Sequence, residues 1–198
     1  MVFCMLHQFN LFMQRISVLL FISALLIACN LGYSDRHKSF KRFSKRFKTI
    51  NLPIEENLLY RVHNSELVSA RIDTSLVQIF INPTYKLKAS APVYDGYGYT
   101  VKLPKEKGLD YHGLIHFESI GQRQFFVLNT YSLEGELIST LPLSGDSSSY
   151  KRQTCQISED RLILIKDFLL HQGKQKINKQ IYKIKEDGSI VPIDVLNQ

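Results

Sequence analysis

The spacing of apolar and polar positions changes character twice along the chain. After Met13-Gln-Arg15, residues 16–28 form an unbroken run of about 13 apolar or small residues, closing on Leu26-Ile27-Ala28-Cys29. A spanning helix needs roughly 20 apolar residues, so this run is short for a permanent anchor. It has the shape of a secretory signal, with Arg15 as its charged start. Residues 1–12 put apolar side chains where that charged region belongs, so Met13 is the expected start of translation. The pattern then becomes helical. Phe40, Phe43, Phe47 and Ile50 fall three and four apart on one helical face, with Asp35 or Ser39 as a cap and Pro53 as a stop.

Beyond Pro53 the helical period gives way to short apolar or alternating segments. Leu58–His63 and Ser75–Ile81 read as strands, and residues 84–110 as turn-rich, with Tyr94, Tyr97 and Tyr99 on a glycine-containing loop. Strands are then expected at 111–117, 124–131, 136–143, 150–157, 161–170, 177–185 and 189–195, each bounded by Gly, Ser, Asn or Asp. Turns every 10 to 15 residues or so predict a mainly β fold. The options are an antiparallel meander, a β-sandwich or a few propeller-blade-like sheets, with a short N-terminal amphipathic helix. A weak echo between Tyr131-Ser-Leu-Glu-Gly135 and Tyr182-Lys-Ile-Lys-Glu-Asp-Gly188 is what suggests blades. The expected organisation is a signal peptide at 1–28, a modified Cys, spacer and basic segment at 29–53, and an antiparallel β domain at 54–198.

The formal charge of +7 suggests nucleic acid until it is located. Seven basic residues, Arg36, Lys38, Lys41, Arg42, Lys45, Arg46 and Lys48, lie within 36–48 with no acid among them. From residue 49 onward 17 Lys and Arg balance 17 Asp and Glu, so the domain carries no basic patch of the kind nucleic acid requires. The basic stretch has two compatible uses. Its Phe stripe can pack on the domain, and Lys38, Lys41, Arg42, Lys45, Arg46 and Lys48 can lie on an anionic membrane surface. Of three cysteines, Cys4 precedes the cleavage point and Cys29 ends the signal. Cys155 then remains as a small core residue, with no disulfide partner.

Catalytic templates find no match. Gly145-Asp-Ser-Ser-Ser149 lacks the second glycine of a nucleophile elbow. His112 and His116 are four apart, but on a strand they stand about 13 Å apart, too far to share a metal ion. Asp95, Asp110, Glu118 and Asp146 are scattered, and neither a phosphate-cradling loop nor a dinucleotide fingerprint occurs. No enzymatic activity, cofactor or metal is therefore expected. The most suggestive surface feature is Tyr94-Asp-Gly-Tyr97-Gly-Tyr99, whose rings on a loop would stack on a sugar or anchor a peptide. The bland alternative is a turn whose rings cover a sheet end.

Leu26-Ile27-Ala28-Cys29, the Phe-rich segment running into Leu52-Pro53-Ile54 and the terminal strands together resemble the small uncharacterised lipoproteins of Gram-negative envelopes. The resemblance implies cleavage between Ala28 and Cys29 and acylation of Cys29. It also implies attachment to the outer membrane, because Asn30 is not the Asp associated with inner-membrane retention, and a periplasm-facing position, because no acidic run of the kind associated with surface display follows Cys29. The family brings no established activity. The expected role is a non-catalytic binding or accessory domain, held to the membrane by its N-terminal lipid and serving another envelope protein or glycan. A glycan- or peptide-binding module using the Tyr94–Tyr99 loop is the alternative, and an envelope hydrolase the remaining one.

Overall fold

The computed structural model describes residues 35–55, 59, 71–84, 96–120, 123–148, 151–171 and 174–193. The chain divides into a unit Met1–Ser39 and a unit Phe40–Gln198. Helix α1 occupies 35–45, and helix α2 is Thr74–Phe80. The strands are β1 (Lys48–Thr49), β2 (Gly96–Lys102), β3 (Tyr111–Ile120), β4 (Arg123–Ser132) and β5 (Leu137–Ser148). They continue with β6 (Lys151–Ile157), β7 (Leu162–His171), β8 (Lys174–Ile184) and β9 (Ile190–Ile193).

These nine strands form one sheet in sequence order. Every pairing from β2 to β9 is antiparallel, and only β1 runs parallel to its neighbour. The fold is therefore mainly β, and the described strands form a meander rather than separate blades.

Period two decides the two faces of this sheet. Ile115, Phe117, Phe126, Leu128, Leu143, Cys155, Ile157, Ile163 and Ile165 share one buried cluster. That cluster draws on both ends of the meander, so the sheet is folded over on this inner face. The opposite face of β2–β4 carries Tyr97, Tyr99, Leu114 and Tyr131, packed with Phe40, Phe43 and Phe47 of the α1 segment and Val77 and Phe80 of α2. A register shift between Tyr99 and Val101 separates the two sets on β2. One extra residue turns Val101 to the inner face while Tyr97 and Tyr99 stay on the helix side.

Two devices hold the fold closed. Strands β5 and β6 pair only near their shared turn, at Gly145–Gln153, Asp146–Arg152 and Ser148–Lys151. Where they part, Ile54 exchanges both backbone hydrogen bonds with Ile157, at 2.8 and 3.0 Å. The outer side of β9 is held to the sheet by side chains. Ile190 N–H donates to Ser139 Oγ (3.2 Å), and Thr130 Oγ1 donates to the Gly188 carbonyl just ahead of the strand (2.7 Å).

Three turns share one hydrogen-bond pattern. Ser132 N–H reaches Glu136 O and Gly135 N–H reaches Ser132 O; the same two bonds recur over 158–162 and over 185–189. The residue at the left-handed position is Gly135 (φ 92°), Arg161 (φ 61°) or Gly188 (φ 86°). The Tyr131/Tyr182 echo is thus a repeated turn rather than a repeated blade.

Several expected boundaries are corrected. Ser75–Ile81 is not a strand, because α2 spans Thr74–Phe80 and buries Val77 and Phe80, three apart. Residues 96–102 form β2 instead of turns. Strand β5 continues through Ser148, so Ser144 to Ser148 is not a loop. Helix α1 ends at 45, and Ile50 belongs to the segment leading into the inner cluster. The expected strand at 58–63 lies outside the described residues apart from Leu59, which is helical and buried.

Candidate functional site

The most chemically varied region is the layer between the helices and β2–β4. Phe43 stacks on Phe80 with centroids 4.9 Å apart and meets Phe47 edge-on at 5.1 Å. Phe40 reaches Tyr131 at 5.1 Å and His112 at 5.5 Å. Offset and edge contacts of this kind add attraction beyond buried area alone. Gly135 makes this possible on its side of the layer, since a Cβ there would stand 2.4 Å from Phe40 Cγ.

Several polar groups beneath the rings are paired, whereas Tyr99 OH and Asn129 Oδ1 have no hydrogen-bond partner. Asn129 Nδ2 donates to Tyr131 OH (3.0 Å), and Tyr131 OH donates to the Phe80 carbonyl at the end of α2 (2.8 Å). Asn82 Nδ2 donates to Tyr97 OH (3.2 Å). His116 Nε2 lies 2.8 Å from Glu118 Oε1, with His116 only 1% exposed and its ring 5.9 Å from Tyr97. These bonds satisfy groups that burial would otherwise penalise. They act as an internal brace between α2 and the sheet. His112 and His116 sit on one strand, as expected from the sequence. Among the described residues, no three His, Cys, Asp or Glu side chains are grouped so as to hold a metal ion.

Burial dominates the ionisation of the tyrosines here and at Tyr111. It raises the pKa of Tyr99, although the nearby Arg46 guanidinium opposes the shift. It raises Tyr111 against Arg161 in the same way, and it raises Tyr131 most strongly. Unfolded tyrosine ionises near pH 10, so these groups contribute full stability below that pH. Above it the unfolded chain loses protons that the folded chain keeps, and the stability disappears as pH rises through the folded values. We expect urea midpoints to fall steadily above pH 10. The share from Tyr131 is about 1.4 kcal/mol per pH unit, and Tyr131→Phe should flatten the slope by that amount whatever it does to stability at pH 8.

Tyr97 and Tyr99 do not lie on an exposed loop. They stand on β2 at 3% and 2% exposure under the helical cover, so their faces are not open to a sugar or peptide. Period two was present in Tyr97-Gly-Tyr99, but the intervening glycines suggested a turn. Tyr94, Ala28 and Cys29 lie outside the described residues. Lys38, Lys41, Arg42, Lys45, Arg46 and Lys48 are all exposed, whereas Phe40, Phe43 and Phe47 are buried. The Phe stripe therefore packs on the domain. Arg46 also lies over the Tyr99 ring at 5.6 Å and 3.9 Å from Asp73.

Sequence reasoning did not find the His116–Glu118 pair or the role of Arg161. Arg161 is buried, and its Nη1 donates to Tyr111 OH (2.7 Å) while Nη2 donates to Pro104 O (2.8 Å) and Glu106 Oε1 (3.0 Å). Only the misfit of an arginine at a glycine-type turn position could have signalled it. No protein-family model, curated protein or solved structure matches this chain.

Proposed function

We propose that this protein is a lipid-anchored component of the bacterial cell envelope, with a non-catalytic binding or accessory role. The observation that carries the reading is Leu26-Ile27-Ala28-Cys29 at the end of the apolar run. On this reading the chain is cut before Cys29, the thiol is acylated, and the domain faces the periplasm from the outer membrane. One acyl chain holds a protein weakly, at about 0.8 kcal/mol per buried methylene, whereas several hold it durably.

The segment that follows suits such an anchor. Its phenylalanines are committed to the domain, which leaves Lys41, Arg42, Lys45, Arg46 and Lys48 exposed. Each basic residue close to an anionic surface adds about 1 kcal/mol. The partner on this reading is another envelope component, with the membrane engaged through the N-terminal lipid. On this reading nucleic acid is not a partner, because the excess positive charge is concentrated in this segment while the rest of the domain is balanced.

Expression in a Gram-negative host tests the reading. Wild-type chain should yield a lipid-bearing N-terminus at Cys29 by mass spectrometry, and Cys29→Ala should accumulate as an uncut precursor. Normal processing of Cys29→Ala, or a native N-terminus upstream of residue 29, would overturn it.

A further inference from the structure

The face of β6–β8 that carries Cys155, Ile157, Ile163 and Ile165 into the inner cluster changes chemistry further along the same strands. By alternation, the side chains that follow on it are Gln153 on β6, Asp167 on β7, and Asn178, Gln180 and Tyr182 on β8. Register sets them in two lines. Gln153 pairs with Asp167 and Asp167 with Asn178, across three strands. Asn178, Gln180 and Tyr182 then run along β8, level with Asp167, Ile165 and Ile163. Neighbouring strands stand about 4.8 Å apart, and alternate residues of one strand about 6.8 Å. The lines therefore form an L, with Asn178 at its corner and the buried Ile163 and Ile165 in its angle.

Gln180 is exposed and the other four residues are half-buried. Tyr182 packs against the inner cluster, and its hydroxyl donates to Gln180 Oε1 (3.0 Å). Gln153 Nε2 donates to Asp167 Oδ1 (3.0 Å). Each bond fixes one end of a planar group and leaves the other end open. Among the described residues, no further partner takes Gln153 Oε1, Asp167 Oδ2, Gln180 Nε2 or the Asn178 amide.

We propose that this L-shaped row binds a neutral glycan chain. Sugar hydroxyls on adjacent carbons are each donor and acceptor, and a planar amide or carboxylate meets such a pair with two hydrogen bonds. Tyr182 adds a ring that is apolar in its body and polar at its tip. Charge selects the occupant. Among the described side chains of this face, Asp167 and Lys176 are the charged ones and they balance, so neither an anionic nor a cationic polymer meets an excess of opposite sign. A peptide added as a strand would use the backbone of a sheet edge, whereas these groups are side chains on a sheet face. The inference deepens the binding role proposed above; it rests on that role but not on the anchor at Cys29.

Nuclear magnetic resonance of the full chain reads the row through its own side-chain amides. Titration with chitopentaose, and separately with cellopentaose, which has hydroxyls but no acetamido groups, should shift the Asn178 and Gln180 side-chain NH2 signals saturably. Asn178→Ala combined with Gln180→Ala should weaken binding at least about tenfold, as the loss of two hydrogen bonds between neutral groups would give. An unchanged urea midpoint is the folding control, and Gln153→Ala gives the same reading from β6 if the pair lowers that midpoint. Lys179→Ala, on the other face of β8, should bind as wild type does.

A saturable shift with either oligomer supports the proposal, and the difference between the two tells whether acetamido groups are read as well as hydroxyls. The proposal is overturned if neither oligomer moves these signals, if a folded variant of the row binds as tightly as wild type, or if polyglutamate or polylysine produces the same shifts. If Cys29 proves unmodified while the oligomers bind, the anchor reading fails and this one stands; a lipid on Cys29 with no glycan response gives the reverse.

Discussion

Replacing Phe43 by alanine is expected to lower the free energy of unfolding by about 3–5 kcal/mol, measured as a drop in urea midpoint at constant slope. Its ring is fully buried, stacked on Phe80, edge-on to Phe47 and 5.9 Å from Tyr99. Truncation leaves a cavity among α1, α2 and the sheet, and the Tyr131–Phe80 hydrogen bond keeps α2 and β4 from closing into it. The control is the adjacent Arg42→Ala. Arg42 is exposed, and its removal should change stability by no more than about 0.5 kcal/mol. A loss below about 1 kcal/mol for Phe43→Ala would mean that α1 does not pack on the sheet in solution. The exposed basic residues would then have no fixed orientation on the domain.

Arg161 should be the second most sensitive position, and two substitutions separate the contributions of its backbone and side chain. Arg161→Ala removes the charged donor from Tyr111 OH and the ties to Pro104 and Glu106. It is expected to cost about 2–4 kcal/mol, because a buried hydroxyl loses its partner and charge-assisted hydrogen bonds are lost. Arg161→Gly loses the same contacts but relaxes a left-handed backbone that glycine adopts freely. It should therefore be less damaging than alanine by about 1 kcal/mol. Gly135 and Gly188 show what this turn accepts when no side chain is needed. Equal losses in urea titrations of the two variants would show that Arg161 carries no backbone strain.

Strands β3 to β8, of 7 to 12 residues, were legible because each holds an alternating or apolar stretch between turn residues. Pairing in sequence order was one of the expected arrangements, as a meander, whereas the register and the point where β5 and β6 separate were not legible. Thr74–Phe80 was misread because a short segment with Leu76, Val77, Ile79 and Phe80 fits a buried strand as well as a short helix. Its buried Val77 and Phe80, with Leu76 and Ile81 packed alongside, follow a helical spacing, which becomes apparent only against the sheet beneath. Strand β2 was hidden by Gly96 and Gly98, which alternate with Tyr97 and Tyr99. Glycine suits position 96 because its φ of 148° is one that side-chain-bearing residues rarely adopt. The Phe40-Phe43-Phe47 stripe was the clearest signal in the chain, but the aromatic partners it meets come from four other elements. At the candidate site, exposure of the basic residues was legible from that stripe, whereas burial of Tyr97 and Tyr99 needed the third dimension.

The bond pair between Ile54 and Ile157 also sets an order of events during maturation. These residues lie 103 positions apart in the sequence, so the junction cannot form until β6 has been made or delivered. Until then Ile54 and the strip of β2–β4 it will help to cover remain wet. Long-range closures of this kind slow folding because chain entropy is lost before the contacts return it. A chain emerging amino-terminus first thus spends its vulnerable interval waiting for β6, and that interval is when a chaperone would matter most to it.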